Sequence, residues 1–467
     1  MNSTTVAAVS TPYGRGGISV IRISGEDAVS VAEKVFFPIS GKTLSDCKSN
    51  YAVYGNIYAL KSSGKTEAEK IDDGIAVVFR APHSYTGEDT VEISCHGGIL
   101  LTEKVLSSVF TAGAAPAGPG EFTQRAFLNG KLDLSEAEAV IGLIDAESEE
   151  KLRLSASHAS GVLKRRTDEI YGKIMHLLSS VYVGLDYPEE DLEEVTDEEF
   201  LSSLTEIYGE LSKTADTYRE GKAVSEGVKT VLLGKPNTGK SSLLNALLGE
   251  KRAIVTAIPG TTRDIIEEKV NIGKILLRLS DTAGIRESYD EVEKIGIEMA
   301  LEKAKEAELI VAVFDLSRPA DSEDAALISS IEGFIAEGKA VILALNKCEE
   351  ETLFDTAALP SGVPSVKISA MSGEGLDTLK KAIETMFIKG EIDYSSTAVI
   401  ANARQFSAIS GAKDAVGRAI EALRSGVMAD TRGLDLEKAL EQIGQVDGRS
   451  VAGDITDAIF HNFCVGK

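Results

Sequence analysis

Gly234-Lys235-Pro236-Asn237-Thr238-Gly239-Lys240-Ser241 has the form G-x-x-x-x-G-K-[ST]. A short β-type run, Lys229 to Leu233, precedes the octet, and Ser241 to Leu248 after it reads as a helix. That strand–loop–helix setting predicts a phosphate-binding loop, because glycines let backbone N–H groups close around an anion at a helix N-terminus. In such a loop Lys240 reaches the β- and γ-phosphates and the Ser241 hydroxyl ligates Mg²⁺.

Working outward, strands and helices alternate from Gly227 to about Ile388, which predicts a doubly wound α/β domain. Pro259-Gly260-Thr261-Thr262-Arg263-Asp264 places Thr262 as a second Mg²⁺-binding hydroxyl on a switch loop. Ile265 to Val270 and Ile275 to Leu279 flank Asn271-Ile272-Gly273, a hairpin signal. They lead to Asp281-Thr282-Ala283-Gly284, where Asp281 contacts Mg²⁺ through water and the Gly284 N–H meets the γ-phosphate. Apolar strands follow at Leu309 to Phe314 and Ala340 to Leu345, the second ending at Asn346-Lys347-Cys348-Glu349. This tetrad resembles the N-K-x-D of translation-factor GTPases, whose Asp accepts from guanine N1 and N2. Glu349 adds one methylene, which bears on guanine affinity. Ser369-Ala370-Met371 resembles the loop that closes over the base O6. After Gly284 stands Ile285, which cannot orient a water as the Gln of many small GTPases does, so hydrolysis needs a group from elsewhere.

The flanks differ in texture. Residues 1–120 read as α+β, with strands at Gly17 to Ile23, Gly74 to Phe79 and Thr90 to Ser94. Thr90-Val91-Glu92-Ile93-Ser94 alternates, with Val91 and Ile93 on one face and Glu92 on the other. Gly113 to Gly120, rich in Ala, Gly and Pro, reads as a boundary or loop. Residues 121–220 and 391–467 are helical in pattern, and they bracket an α/β segment at 221–390. This arrangement predicts a G domain inserted into one helical domain. Asp186 to Glu199 holds nine carboxylates and Pro188, and reads as a solvated connector.

Composition bounds these readings. A chain of 467 residues suggests roughly three domains. No apolar run is long enough to span a bilayer, and Met1 to Val9 does not read as a signal peptide. Four scattered cysteines form no C-x-x-C pair, which argues against zinc or a disulfide framework and fits a reducing cytoplasm. The net charge of −24 argues against broad nucleic-acid coating. Lys164-Arg165-Arg166, the one tight basic cluster, reads as a solvated helix face.

The whole chain resembles the MnmE (TrmE) family of tRNA uridine-modification GTPases. The resemblance rests on Pro12-Tyr13-Gly14-Arg15-Gly16-Gly17, Ser84-Tyr85-Thr86-Gly87-Glu88-Asp89, His96-Gly97-Gly98, the block Gly120 to Asp133 and the terminal Cys464-Val465-Gly466-Lys467. It implies a multidomain fold: an α+β N-terminal folate-binding and dimerisation domain, a discontinuous α-helical domain and an inserted α/β Ras-like G domain. It also implies GTP binding by Asn237, Thr238, Gly239, Lys240, Ser241, Ser242, Thr256, Ala257, Ile258, Pro259, Gly260, Thr261, Thr262, Asp281, Thr282, Ala283, Gly284, Asn346, Lys347, Glu349, Ser369, Ala370 and Met371.

Further roles come only with the resemblance. A K⁺ ion replaces an arginine finger and is held by Asn237, Thr256, Ile258 and Thr261; Glu293 matches the catalytic glutamate that orients the water. Arg22, Glu92, Lys131 and Lys467 match contacts to 5,10-methylenetetrahydrofolate, of which 5-formyltetrahydrofolate is an analogue. Cys464 matches a terminal cysteine whose thiol role stays open. The implied partners are a second copy, tRNA and the FAD-dependent MnmG, in a heterotetramer or larger complex. A ribosome-assembly GTPase is the rival reading, but it would be expected to carry a basic RNA-binding module. A stand-alone folate-dependent one-carbon transferase is the weaker alternative.

Overall fold

The computed structural model describes residues 4–60, 69–186, 196–249, 268–279, 300–426, 429–451 and 453–467. It divides into two compact units, residues 1–141 with 444–467 and residues 142–443.

The first unit is built on a seven-stranded sheet. Its strands are β1 (Val6–Val9), β2 (Ile18–Ser24), β3 (Phe36–Pro38), β4 (Ala52–Ala59), β5 (Glu69–Phe79), β6 (Thr90–His96) and β7 (Ala115–Pro116). Their order is β3-β4-β5-β6-β2-β1-β7. The alternation expected at Thr90 to Ser94 holds, since Val91 and Ile93 are fully buried while Glu92 is not. Those residues join Ile21, Ile23, Ala76 and Val78 in a core that also takes Val105 and Val109 from the helix Ile99–Ala112. A sheet face buried against a helix explains the strict period of two.

One expectation needs correcting. Within Gly113 to Gly120, read as a boundary or loop, β7 runs parallel to β1. The Ala115 N–H donates to the Thr5 carbonyl and the Ala117 N–H to the Ala7 carbonyl. Ala and Pro carry little strand propensity, and here the unpaired groups of β1 recruit the chain.

The C-terminal residues seat on this same unit. Val465 bridges Pro119, the Phe122 N–H donates to the Lys467 carbonyl at 3.0 Å, and the Ser10 hydroxyl donates to the Gly466 carbonyl at 2.9 Å. Gly466 has φ +98°, and a Cβ there would lie 2.0 Å from the Val9 carbonyl oxygen. The terminal motif therefore requires glycine for backbone reasons.

The second unit contains a six-stranded sheet: β8 (Val228–Leu233), β9 (Glu268–Ile272), β10 (Ile275–Leu279), β11 (Leu309–Asp315), β12 (Ala340–Asn346) and β13 (Ser365–Lys367). The order is β13-β12-β11-β8-β10-β9, parallel except for the β9–β10 hairpin. The hairpin is the one expected around Asn271-Ile272-Gly273. Both faces are buried: Leu232, Val311 and Val313 pack on one side, Val231, Leu233, Ala312 and Phe314 on the other. Two-sided burial is why these strands read as continuous apolar runs.

Helices Asp197–Asp216 and Ala403–Arg424 pack together, burying Leu204, Ile207 and Leu211 of one and Ile409, Ala412 and Val416 of the other. The acidic run read as a connector is partly helical. Asp186 ends the helix Val162–Asp186, and Asp197, Glu198 and Glu199 form a first turn behind the Thr196 capping box. Carboxylates suit that turn because they face the positive end of the helix dipole. No helix among the described residues is long and apolar enough to cross a membrane.

Candidate functional site

Strand β8 ends at Leu233, and the loop turns through Asn237 in the left-handed region (φ +60°) into the helix Lys240–Leu248. Gly239 caps that helix without a side-chain hydrogen bond, which leaves the first-turn N–H groups facing outward. Its φ is +93°, and a Cβ would sit 2.1 Å from the Asn346 Nδ2 atom. Lys240 folds back, donating from Nζ to the carbonyls of Gly234 at 2.7 Å and Lys235 at 2.6 Å. The Thr238 hydroxyl donates to the same Lys235 carbonyl at 2.9 Å. Ser241 and Ser242 are exposed at the helix start. Outward-facing donors, a cationic side chain and a free hydroxyl are what a nucleotide phosphate with Mg²⁺ demands.

Asn346, the last residue of β12, joins three parts of the site. Its Nδ2 donates to the Thr238 carbonyl at 2.8 Å, and its Oδ1 accepts from the Ala370 N–H at 2.9 Å. The side chain is buried, so these bonds are made without competition from water. Asn237, Thr238, Gly239, Lys240, Asn346, Lys347, Ser369 and Ala370 are thus gathered at the C-terminal ends of β8, β12 and β13. Glu349 is exposed after Lys347, and Met371 is 92% exposed.

Two ionic groups were not foreseen from the sequence. The Lys235 ammonium, 4% exposed, donates to Asp324 at 3.1 Å and also to Asp321. Burial alone would lower its pKa, but the two carboxylates hold it above the ordinary lysine value. Asp321 is held at about 2 by the Lys235 ammonium and by the N–H groups of Asp324 and Glu323. It also caps the helix Ser322–Ala336. The second group centres on Asp315, which ends β11 and accepts from Lys347 Nζ at 2.6 Å and from the Ser317 hydroxyl at 2.7 Å. Burial would raise the Asp315 pKa, yet Lys347 and Ser317 keep it below the usual carboxylate value. A charge closing an apolar run, as in Phe314-Asp315, is the signal that could have marked it.

Thr256, Ala257, Ile258, Pro259, Gly260, Thr261, Thr262, Asp281, Thr282, Ala283, Gly284, Ile285 and Glu293 lie outside the described residues.

In the first unit Arg22 and Glu92 face each other across β2 and β6, with Nε–Oε1 at 2.9 Å and Nη2–Oε1 at 2.8 Å. The Arg22 guanidinium lies 5.1 Å from the Tyr85 ring centroid and 5.4 Å from that of Phe122. Lys131 Nζ donates to the Pro82 carbonyl at 3.0 Å, and the Lys467 carbonyl holds the Phe122 N–H. The four residues therefore share one neighbourhood, around Phe122 and the loop from Pro82 to Glu88. Phe122 is fully buried, so Tyr85 is the ring of the two that could meet a flat heteroaromatic ligand, beside the Arg22–Glu92 pair. Cys464 is exposed, whereas Cys95 is buried and burial pushes its thiol up to about 11.

The basic cluster is committed internally. Arg165 donates to the Ser160 carbonyl at 2.8 Å, and Arg166 pairs with Glu169 at 3.2 Å and Glu210 at 3.7 Å.

Two family models together match most of the chain. The family model for the GTP-binding protein TrmE N-terminus matches residues 5–131, and that for the MnmE helical domain matches residues 134–464. The tRNA modification GTPase MnmE of Clostridioides difficile (strain 630) is 41% identical over 466 residues, covering 99% of both chains. That of Bacillus subtilis (strain 168) is 40% identical over 467 residues, covering 99% of this chain and 100% of its own. Among solved structures, the G domain of the T. maritima FeoB iron transporter is 28% identical, covering 33% of this chain and 96% of its own, with a TM-score of 0.22.

Proposed function

The chain belongs to the MnmE family of tRNA modification GTPases, and from that premise we propose that it is a K⁺-dependent GTPase acting with MnmG on the wobble uridine of tRNA. The modification is at C5, giving aminomethyl or carboxymethylaminomethyl groups from a tetrahydrofolate one-carbon unit. The protein acts in the cytoplasm as a homodimer, in a heterotetramer or larger complex with FAD-bearing MnmG. The observation that carries the reading is the loop Gly234 to Ser241, braced through Asn346 to the Ser369-Ala370 loop, in a chain matched over its full length by tRNA modification GTPases.

On GTP binding, Lys240 exchanges the carbonyls of Gly234 and Lys235 for β- and γ-phosphate oxygens. Ser241, Thr262 and Asp281 are the residues that would hold Mg²⁺, which would offset phosphate charge. Asn237, Thr256, Ile258 and Thr261 would hold K⁺, which would supply positive charge to offset the negative charge developing in phosphoryl transfer. Glu293 orients the attacking water, the task Ile285 cannot perform. Glu349 accepts from the guanine edge, and Ser369, Ala370 and Met371 close over O6.

In the first unit Arg22, Lys131 and Lys467 attract the folate's carboxylates while Glu92 accepts from its pterin. Cys464, exposed near the chain end, is the candidate thiol for that chemistry. Arg22 and Glu92 satisfy each other in the structure, so ligand binding would exchange this pair for ligand contacts.

Two measurements test the proposal. GTP hydrolysis should be at least about tenfold faster in K⁺ than in Na⁺, the loss expected on removing one electrostatic stabiliser of phosphoryl transfer. Equal rates reject the K⁺ site. Deletion of the gene should remove the C5 modification of the wobble uridine in nucleoside mass spectrometry; unchanged tRNA rejects the pathway.

A further inference from the structure

We propose that Asp315 is a positioning residue for nucleotide recognition, fixing Lys347 so that its aliphatic stem forms the shelf beneath the purine. The proposal rests on the reading of Asn346 to Glu349 as the base-recognition segment.

Asp315 and Asn346 are the last paired residues of the parallel strands β11 and β12, so Lys347 leaves the sheet directly beside Asp315. The Lys347 backbone has φ +63°, a conformation that costs a non-glycine residue of order 1 kcal/mol. Main-chain bonds pin the turn on either side: the Leu316 N–H donates to the Asn346 carbonyl at 3.0 Å, and the Cys348 N–H to the Ile368 carbonyl at 3.1 Å. The side chain is pinned by Lys347 Nζ to Asp315 Oδ2 at 2.6 Å.

The carboxylate is itself held rigidly. Its Oδ1 accepts from both the N–H and the hydroxyl of Ser317, which orients Oδ2 toward Lys347. Arg318 approaches Oδ2 only to 3.7 Å, too long for a hydrogen bond, so Lys347 holds the close position. A carboxylate–ammonium pair with one partner buried and the other half-buried adds little to stability compared with apolar packing, whereas it fixes direction. Anchoring the ammonium at the strand end restricts the four-carbon stem, whose apolar side can then be offered to a base.

The test uses the full chain and fluorescent GDP and IDP, in which the inosine base lacks the exocyclic amine. D315N should weaken both nucleotides equally, about five- to tenfold, the scale of one ordinary net hydrogen bond. The KM for GTP should rise alongside, with kcat at saturation within about twofold of wild type. K347A should show a comparable loss, and D315N/K347A should bind no more weakly than K347A alone. Binding by D315N within twofold of wild type overturns the proposal, as do losses that add fully in the double variant. D315E, which keeps the charge but displaces the ammonium, must raise KM in the same way, and it serves where D315N does not fold. E349A separates the underlying reading: it should weaken GDP more than IDP. Equal weakening there rejects Glu349 as the guanine reader without touching the Asp315–Lys347 coupling.

Discussion

Single residues in this site do backbone work as much as chemical work. Gly239 combines φ +93° with a hypothetical Cβ 2.1 Å from Asn346. Gly239→Ala should therefore displace Asn346 and lower GTP affinity at least about tenfold, read by fluorescent-nucleotide titration. Asp321 gives a pH signature. Its carboxyl titrates at about 2 in the folded chain against an ordinary 3.8, so its contribution is fully present above 3.8 and is lost as pH falls through 2. Accordingly, the Tm deficit of Asp321→Asn should be constant at neutral pH and shrink toward zero between pH 4 and 2. A deficit unchanged at low pH would show that it does not come from the carboxylate's charge on Lys235, since Asn caps a helix as well as Asp.

At the scale of elements, the site exists because parallel strands end together. Strands β8, β11, β12 and β13 deliver the phosphate loop, Asp315, Asn346 and Ser369 to one edge of the sheet. Asn346 is the bond between these ends, and replacing it by alanine leaves the buried Thr238 carbonyl and the Ala370 N–H without their partner. Asn346→Ala should cost about 1–3 kcal/mol of stability in denaturant titration, together with a raised KM for GTP. An unchanged KM would mean that the strand ends hold the loops without it. The motif Asn346-Lys347 was legible as a tetrad, but its bracing role was not. Hydrogen bonds over 108 and 24 residues of sequence separation leave no local trace.

For the molecule as a whole, the C-terminal tail belongs to the N-terminal sheet. Removing Cys464 to Lys467 deletes the partners of Pro119, Phe122 and Ser10. The truncated chain should lose binding of 5-formyltetrahydrofolate in calorimetry while keeping its GTPase activity, because the phosphate loop lies in the other unit. Loss of GTPase activity along with folate binding would tie the tail to both functions.

Local sequence determined the phosphate loop, the β9–β10 hairpin and the buried face of β6, since each follows from spacing, glycine placement or period-two alternation within a few residues. It also carried Arg22 and Glu92, though only resemblance lent them a purpose. The tertiary structure alone decided that Ala115–Pro116 is a strand, that Lys235 and Asp315 are buried charges, and that Gly466 serves the Val9 backbone. The physical reason is common to these cases. A strand edge, a buried ammonium and a close backbone approach are each satisfied by a partner distant in sequence, so a local pattern shows one half of the contact and not the other.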